Sequence, residues 1–172
     1  MKKLILILLC LPMIRCGEQP EPKQSSDYVY EAMSKRGSND YYGALADLAE
    51  AIRLNPNSND AYHMRGDVKR RLNDYYGAMD DYTESIRLRP GNWLAYHARG
   101  LLKYDLNDYS GAIADYNEVI KIESLAPNAY YNRGLAKKEQ GFTYGTSYCS
   151  DFKTACNLGL ENGCEYYYKQ CK

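Results

Sequence analysis

The residues best equipped for chemistry are four cysteines near the end of the chain, in CSDFKTACNLGLENGCEYYYKQC, where Cys149, Cys156, Cys164 and Cys171 are separated by six, seven and six intervening residues. Thiols so arranged could form a metal cage, a redox or nucleophilic set, or disulfide staples. Zinc cages favour close cysteine pairs and reducing compartments. Four cysteines that pair among themselves leave none free as a nucleophile, and an even number in an exported domain favours disulfides. The chain has two histidines, His63 and His97, 34 residues apart. With Asp67 one helical turn along they lack a third firm ligand, so no metal is expected. A Gly-rich phosphate loop, a His-Glu-x-x-His stretch and a Gly-x-Ser-x-Gly elbow are all missing. No catalytic residue and no cofactor follows from these residues.

Whether the cysteines oxidise depends on the compartment, and the other end of the chain speaks to that. The sequence opens MKKLILILLCLPMIRCGEQPEPKQSS, two lysines and then an apolar run from Leu4 to Ile14. This reads as a signal peptide over 1–15, too short to span a bilayer comfortably, followed by a polar tether over 16–26. The stretch resembles the signal of bacterial lipoproteins. That resemblance implies cleavage before Cys16, lipidation of Cys16, and a membrane-anchored protein of the bacterial cell envelope facing the periplasm or cell surface. Ordinary cleavage nearby and an uncleaved anchor are the alternatives. Basic and acidic residues number 22 each; losing Lys2, Lys3 and Arg15 leaves 19 against 22, a net charge near minus three. Such a balance argues against nucleic acid as a partner.

The elements that carry these residues come from a repeat. AYHMRGDVKRRLNDYYGAMDDYTESIRLRP and AYHARGLLKYDLNDYSGAIADYNEVIKIES align without a gap at an offset of 34, with related segments before and after. Units therefore run over 25–58, 59–92, 93–126 and 127–160, within a domain over 27–172 that ends in a cap over 161–172. Apolar and small residues recur at helical spacing, so each helix has a stripe that needs covering. One helix pair cannot bury its own stripe, whereas three or more stacked pairs share a continuous core.

Position by position the units resemble the tetratricopeptide repeat (TPR) family. The first helix repeats Tyr28, Tyr62, Tyr96 and Tyr130, then Ala32, Gly66, Gly100 and Gly134 four residues later. The second repeats Ala44, Ala78 and Ala112, then Leu48, Tyr82, Tyr116 and Phe152, and then Ala51, Ser85, Val119 and Ala155. Pro56 and Pro90 close the first two units, where a helix must stop. The resemblance implies an all-α fold, a right-handed α-solenoid of stacked helix-turn-helix units. It also implies a concave groove for a peptide or protein, lined by recurring positions of each first helix: Met33, Arg36, His63, Asp67, Arg70, His97, Leu101, Tyr104, Tyr131, Leu135 and Lys138.

Arg65, Arg99 and Arg133 share one slot, where the family usually has an apolar residue, and Asp47, Asp81, Asp115 and Asp151 share another. Semi-buried charges must be paired to be tolerated. The first unit has Glu31 in place of arginine and no predecessor, so the expectation is pairing between neighbouring units: Asp47 with Arg65, Asp81 with Arg99, Asp115 with Arg133. Recognition of an acidic ligand by these arginines is the rival reading.

The segment ACNLGLENGC, Ala155 to Cys164, resembles the ending of Sel1-like repeats in bacterial cysteine-rich secreted proteins, where it bridges two helices. In an antiparallel hairpin, residues equidistant from the turn face each other. Both Cys156 with Cys164 and Cys149 with Cys171 are centred on Leu160, which proposes two disulfide rungs stapling a capping helix to the stack. The expected function is a non-enzymatic interaction scaffold binding other proteins or peptides in its groove. A Sel1-like secreted protein with β-lactam-binding or hydrolase activity is the alternative.

Overall fold

The computed structural model describes residues 21–141 and 147–172. The expectations for the signal peptide and for Cys16 lie outside these residues. All regular elements among them are α-helices: α1 (Ser25–Gly37), α2 (Tyr41–Leu54), α3 (Asn59–Arg71), α4 (Tyr75–Leu88), α5 (Trp93–Asp105), α6 (Tyr109–Ile122), α7 (Pro127–Glu139), α8 (Tyr148–Asn157) and α9 (Glu161–Gln170). None of the described helices is long and apolar enough to cross a membrane.

One short motif makes the first three hairpins. Asn39, Asn73 and Asn107 take φ of 63°, the left-handed conformation that asparagine tolerates better than most residues. The next residue, Asp40, Asp74 or Asp108, caps the following helix by accepting from the backbone N–H of Gly43, Gly77 or Gly111 at 2.9 to 3.0 Å. Tyr41, Tyr75 and Tyr109 then donate their hydroxyls to the asparagine side chains at 2.7 to 3.0 Å. The motif reverses the chain in two residues, so each second helix lies antiparallel to the first.

The hairpins close on a small-against-large contact. A Cβ placed on Gly66, Gly100 or Gly134 would sit 2.8 to 2.9 Å from the ring of Tyr82, Tyr116 or Phe152. Glycine is thus what lets each ring lie flat on the partner helix; in the first unit Ala32 and Leu48 fill that place, both fully buried. Ala44, Ala78 and Ala112 are buried beside them, as are Ala61, Ala95 and Ala129 near the starts of their helices. Each helix packs on its chain neighbours, and the first helices also touch one another, α1 on α3 and α5 on α7. The result is a stacked helix-turn-helix solenoid with its core between the two helix layers.

Four buried aspartates sit in that core, and the structure corrects their expected partners. The pairs Asp47–Arg65, Asp81–Arg99 and Asp115–Arg133 do not form. Each arginine instead forks onto the aspartate of its own unit: Arg65 on Asp81, Arg99 on Asp115 and Arg133 on Asp151, with Nε and Nη2 contacts of 2.6 to 3.0 Å. The hairpin itself is the reason, since Arg65 and Asp81 each lie eight residues from the turn residue Asn73. A second cation completes each site: Lys69 on Asp81, Lys103 on Asp115 and Lys137 on Asp151, at 2.8 to 2.9 Å. In the first unit, where Glu31 replaces arginine, Lys35 binds Asp47 at 2.7 Å. Each arginine also lies over the tyrosine three residues before it, at 5.3 to 5.6 Å from the ring centre. Two of these arginines also reach the preceding unit, through neutral groups, Arg99 to Thr83 at 3.1 Å and Arg133 to Asn117 at 2.7 Å.

At the C-terminal end, disulfides join Cys149 to Cys171 and Cys156 to Cys164, with Cα separations of 5.6 and 4.3 Å. They hold α9 against α8 across a turn in which Gly159 takes φ of +88°. Gly163 lets the two helices meet, since a Cβ there would lie 2.8 Å from that of Ala155. Tyr166 of α9 stacks 4.5 Å from Phe152 and covers the last core ring.

Candidate functional site

The first helices α1, α3, α5 and α7 begin at Ser25, Asn59, Trp93 and Pro127, so equivalent residues form rows across them. The slot of these helices that meets the partner helix stays small, as Ala32, Gly66, Gly100 and Gly134, whereas the groove rows mix chemical classes along the stack. One row reads Met33, Asp67, Leu101 and Leu135; the next reads Arg36, Arg70, Tyr104 and Lys138.

At the N-terminal end the groove residues form a charged network. Arg36 donates to Asp67 Oδ2 at 3.1 Å across the unit boundary, and the buried Tyr82 hydroxyl donates to Asp67 Oδ1 at 2.9 Å. Burial, and then the neighbouring Asp67 carboxylate, holds the Tyr82 phenol well above its ordinary pKa, so it remains a donor. His63 packs 5.9 Å from the Tyr82 ring, and Met33 is exposed.

The middle of the groove is less charged. His97 lies 5.9 Å from the Tyr116 ring and 3.2 Å from the side-chain nitrogen of Asn132, and burial lowers its pKa. Leu101, Tyr104 and Leu135 border a pocket of about 160 Å³ whose other walls are Asp105, Tyr116 and Asn132. Tyr116 occupies the slot of Tyr82, but Leu101 stands where Asp67 would receive its hydroxyl, and that hydroxyl is buried without a partner. Trp93 and His97, with Leu125 and Pro127, wall an apolar pocket of about 270 Å³ at one edge. The two histidines turn to different neighbours, and among the described residues no three of His, Cys, Asp and Glu gather as a metal site.

At the C-terminal end the cap enters the groove. Tyr131 packs 5.6 Å from Phe152 and 6.1 Å from Tyr166, and Lys138 donates to the Tyr166 hydroxyl at 2.9 Å. These two residues therefore face the cap as well as the groove. Sequence reasoning passed over Trp93, Asn132, Asp105 and Arg71, which lie outside the recurring positions. The one signal for Trp93 was that the chain has a single tryptophan.

Two family models match this chain, one described as tetratricopeptide repeat over residues 31–92 and one as TPR repeat over residues 100–141. Together they span more than half of the 172 residues. No curated protein matches it. Among solved structures, a crystal structure of MamA superposes with a TM-score of 0.75 at 22% identity, covering 85% of this chain and 84% of that one. MamA 41-end from Desulfovibrio magneticus RS-1 gives 0.74 at 18% identity, covering 86% and 93%. The first TPR of Spaghetti (RPAP3), bound to the HSP90 peptide SRMEEVD, gives 0.67 at 17% identity, covering 69% and 94%. At these identities the likeness is one of fold.

Proposed function

The chain belongs to the tetratricopeptide repeat family, a family of protein interaction scaffolds, and on that premise we propose that it works without catalysis, by holding a peptide or protein segment in its concave groove. The observation that carries this reading is the contrast between rows. In every unit the hairpin contact sets a small residue of the first helix (Ala32, Gly66, Gly100, Gly134) against a bulky one of the second (Leu48, Tyr82, Tyr116, Phe152), whereas a groove row mixes chemical classes, as in Met33, Asp67, Leu101 and Leu135. Packing requires the first pattern and has no use for the second. The middle of the groove offers aliphatic and aromatic contacts flanked by polar groups, which suits an extended or helical segment.

We propose further that the protein is exported and tethered to the bacterial cell envelope through lipid on Cys16. The opening sequence supports this, and so do the two disulfides, which persist in oxidising compartments. Labelling with a radioactive fatty acid should mark the wild type and spare Cys16→Ser; equal labelling would refute the anchor. Partners crosslinked in envelope fractions should be lost by His97→Glu combined with Leu101→Glu. Retention of every partner by that folded double variant would end the groove reading.

A further inference from the structure

The junction of the first two units departs from the repeat in one cluster of charge. Where the third unit has Leu101, Tyr104 and Asp105, the second has Asp67, Arg70 and Arg71. Asp67 uses both oxygens within the protein, one for Tyr82 and one for Arg36. Among the ion pairs of the described residues, none includes Arg70 or Arg71. Arg70 Nε is buried without a hydrogen-bond partner. Both arginines join Arg36, Asn39 and Tyr41 around a pocket of about 340 Å³. Three guanidinium groups against one carboxylate leave it strongly positive, in a chain whose charges balance overall.

Basic residues in a last helical turn offset the carbonyls exposed there, and these arginines stand in the last turns of α1 and α3. That role does not require the cluster. Helix α5 ends with Lys103 as its one basic residue in the last turn, yet Gly100 meets Tyr116 as Gly66 meets Tyr82. Packing of the stack therefore leaves Arg71 unexplained and gives Arg70 only the neighbouring Tyr82 hydroxyl.

We infer that the pocket of Arg36, Arg70 and Arg71 binds the carboxylates of an acidic peptide segment at the N-terminal end of the groove. The planar forks of Arg70 and Arg71 match carboxylate oxygens, while Asp67 braces Arg36 and Tyr82 beneath them. The inference rests on the groove reading and adds to it that one end of the bound segment is acidic.

The test is fluorescence polarisation of a labelled hexaglutamate peptide on the full chain at low salt, with hexaglutamine as control. Hexaglutamate should bind, hexaglutamine should not, and Arg70→Gln with Arg71→Gln should weaken binding at least tenfold. Arg53→Gln with Arg87→Gln removes two exposed arginines already paired with Glu50 and Glu84 and should change it less than twofold. If Arg70→Gln impairs folding, the exposed Arg71→Gln alone should still weaken binding about threefold, with an unchanged melting curve. Failure of hexaglutamate to bind, equal binding of hexaglutamine, or equal loss in both double variants would overturn the inference. The His97→Glu, Leu101→Glu variant separates the two readings. If it keeps every envelope partner while hexaglutamate binding follows the arginines, the groove reading fails and the pocket stands; the reverse result removes the pocket alone.

Discussion

Replacing Asp81 by asparagine removes one buried carboxylate from beneath two cations. Asp81 is 3% exposed and receives Arg65 at 2.9 and 2.6 Å and Lys69 at 2.8 Å. Taking one partner out of a buried ion pair costs roughly 3–5 kcal/mol, because the other charge stays behind uncompensated. The side chains of Arg65 and Lys69 keep 24% and 22% of their exposure and can turn partly to water, which favours the lower end, about 3 kcal/mol. For a domain of this size that lowers the melting midpoint by about 6–12 °C. Arg65→Gln leaves Asp81 with Lys69 and should cost about 2 kcal/mol. Because the two changes remove one shared contact, the double variant should fall short of their sum by about 1.5 kcal/mol. The cycle of Asp81→Asn with Arg99→Gln should add within about 0.5 kcal/mol, since Arg99 is committed to Asp115. Urea melts followed by circular dichroism measure both cycles. Larger coupling between Asp81 and Arg99 than between Asp81 and Arg65 would refute pairing within the unit.

Other outcomes follow from single contacts. Tyr82→Phe loses a hydrogen bond to the Asp67 carboxylate and should cost about 1.5 kcal/mol, whereas Tyr116→Phe removes a hydroxyl with no partner and should be neutral or stabilising; urea midpoints compare them. Opening the outer disulfide with Cys149→Ser and Cys171→Ser should cost about 2–3 kcal/mol by loop closure, and limited proteolysis should then cut first in α9. The pKa of His97 is lowered by burial, so as pH falls the unfolded chain takes up the proton before the folded one. Its contribution is complete above about 6.5, the unfolded value, and is lost as pH drops through the folded value below it. Melting midpoints at pH 7.5 and 5 should therefore differ less for His97→Gln than for the wild type.

Much of the fold was legible because its cause is local. The 34-residue period, the Asn-Asp-Tyr turn and the alternation of small and large residues act within one hairpin. Counting outward from Leu160 placed both pairs of cysteines. The same count from Asn73 and Asn107 places Arg65 opposite Asp81 and Arg99 opposite Asp115, so those pairs were open to sequence reasoning even though the neighbouring unit was expected to supply the partner. The lysines that complete the sites recur at the same period, at Lys35, Lys69, Lys103 and Lys137.

The groove was legible only as rows of candidate positions. What occupies them, Arg36 on Asp67, His97 on Asn132 and Lys138 on Tyr166, joins residues 28 to 35 positions apart in different units. No local periodicity sets those distances; they follow from how far one hairpin shifts and turns on the next, which is a matter of packing. The sequence by itself thus determined the hairpins, the repeat and the stapled cap. Only the tertiary structure decided which charges neutralise each other and that, among the described residues, the Tyr116 hydroxyl has no partner while Tyr82 has one, and Arg70 and Arg71 form no ion pair. A side chain's neighbours within a hairpin are set by counting along the chain, and its neighbours across the stack by the geometry of the interface.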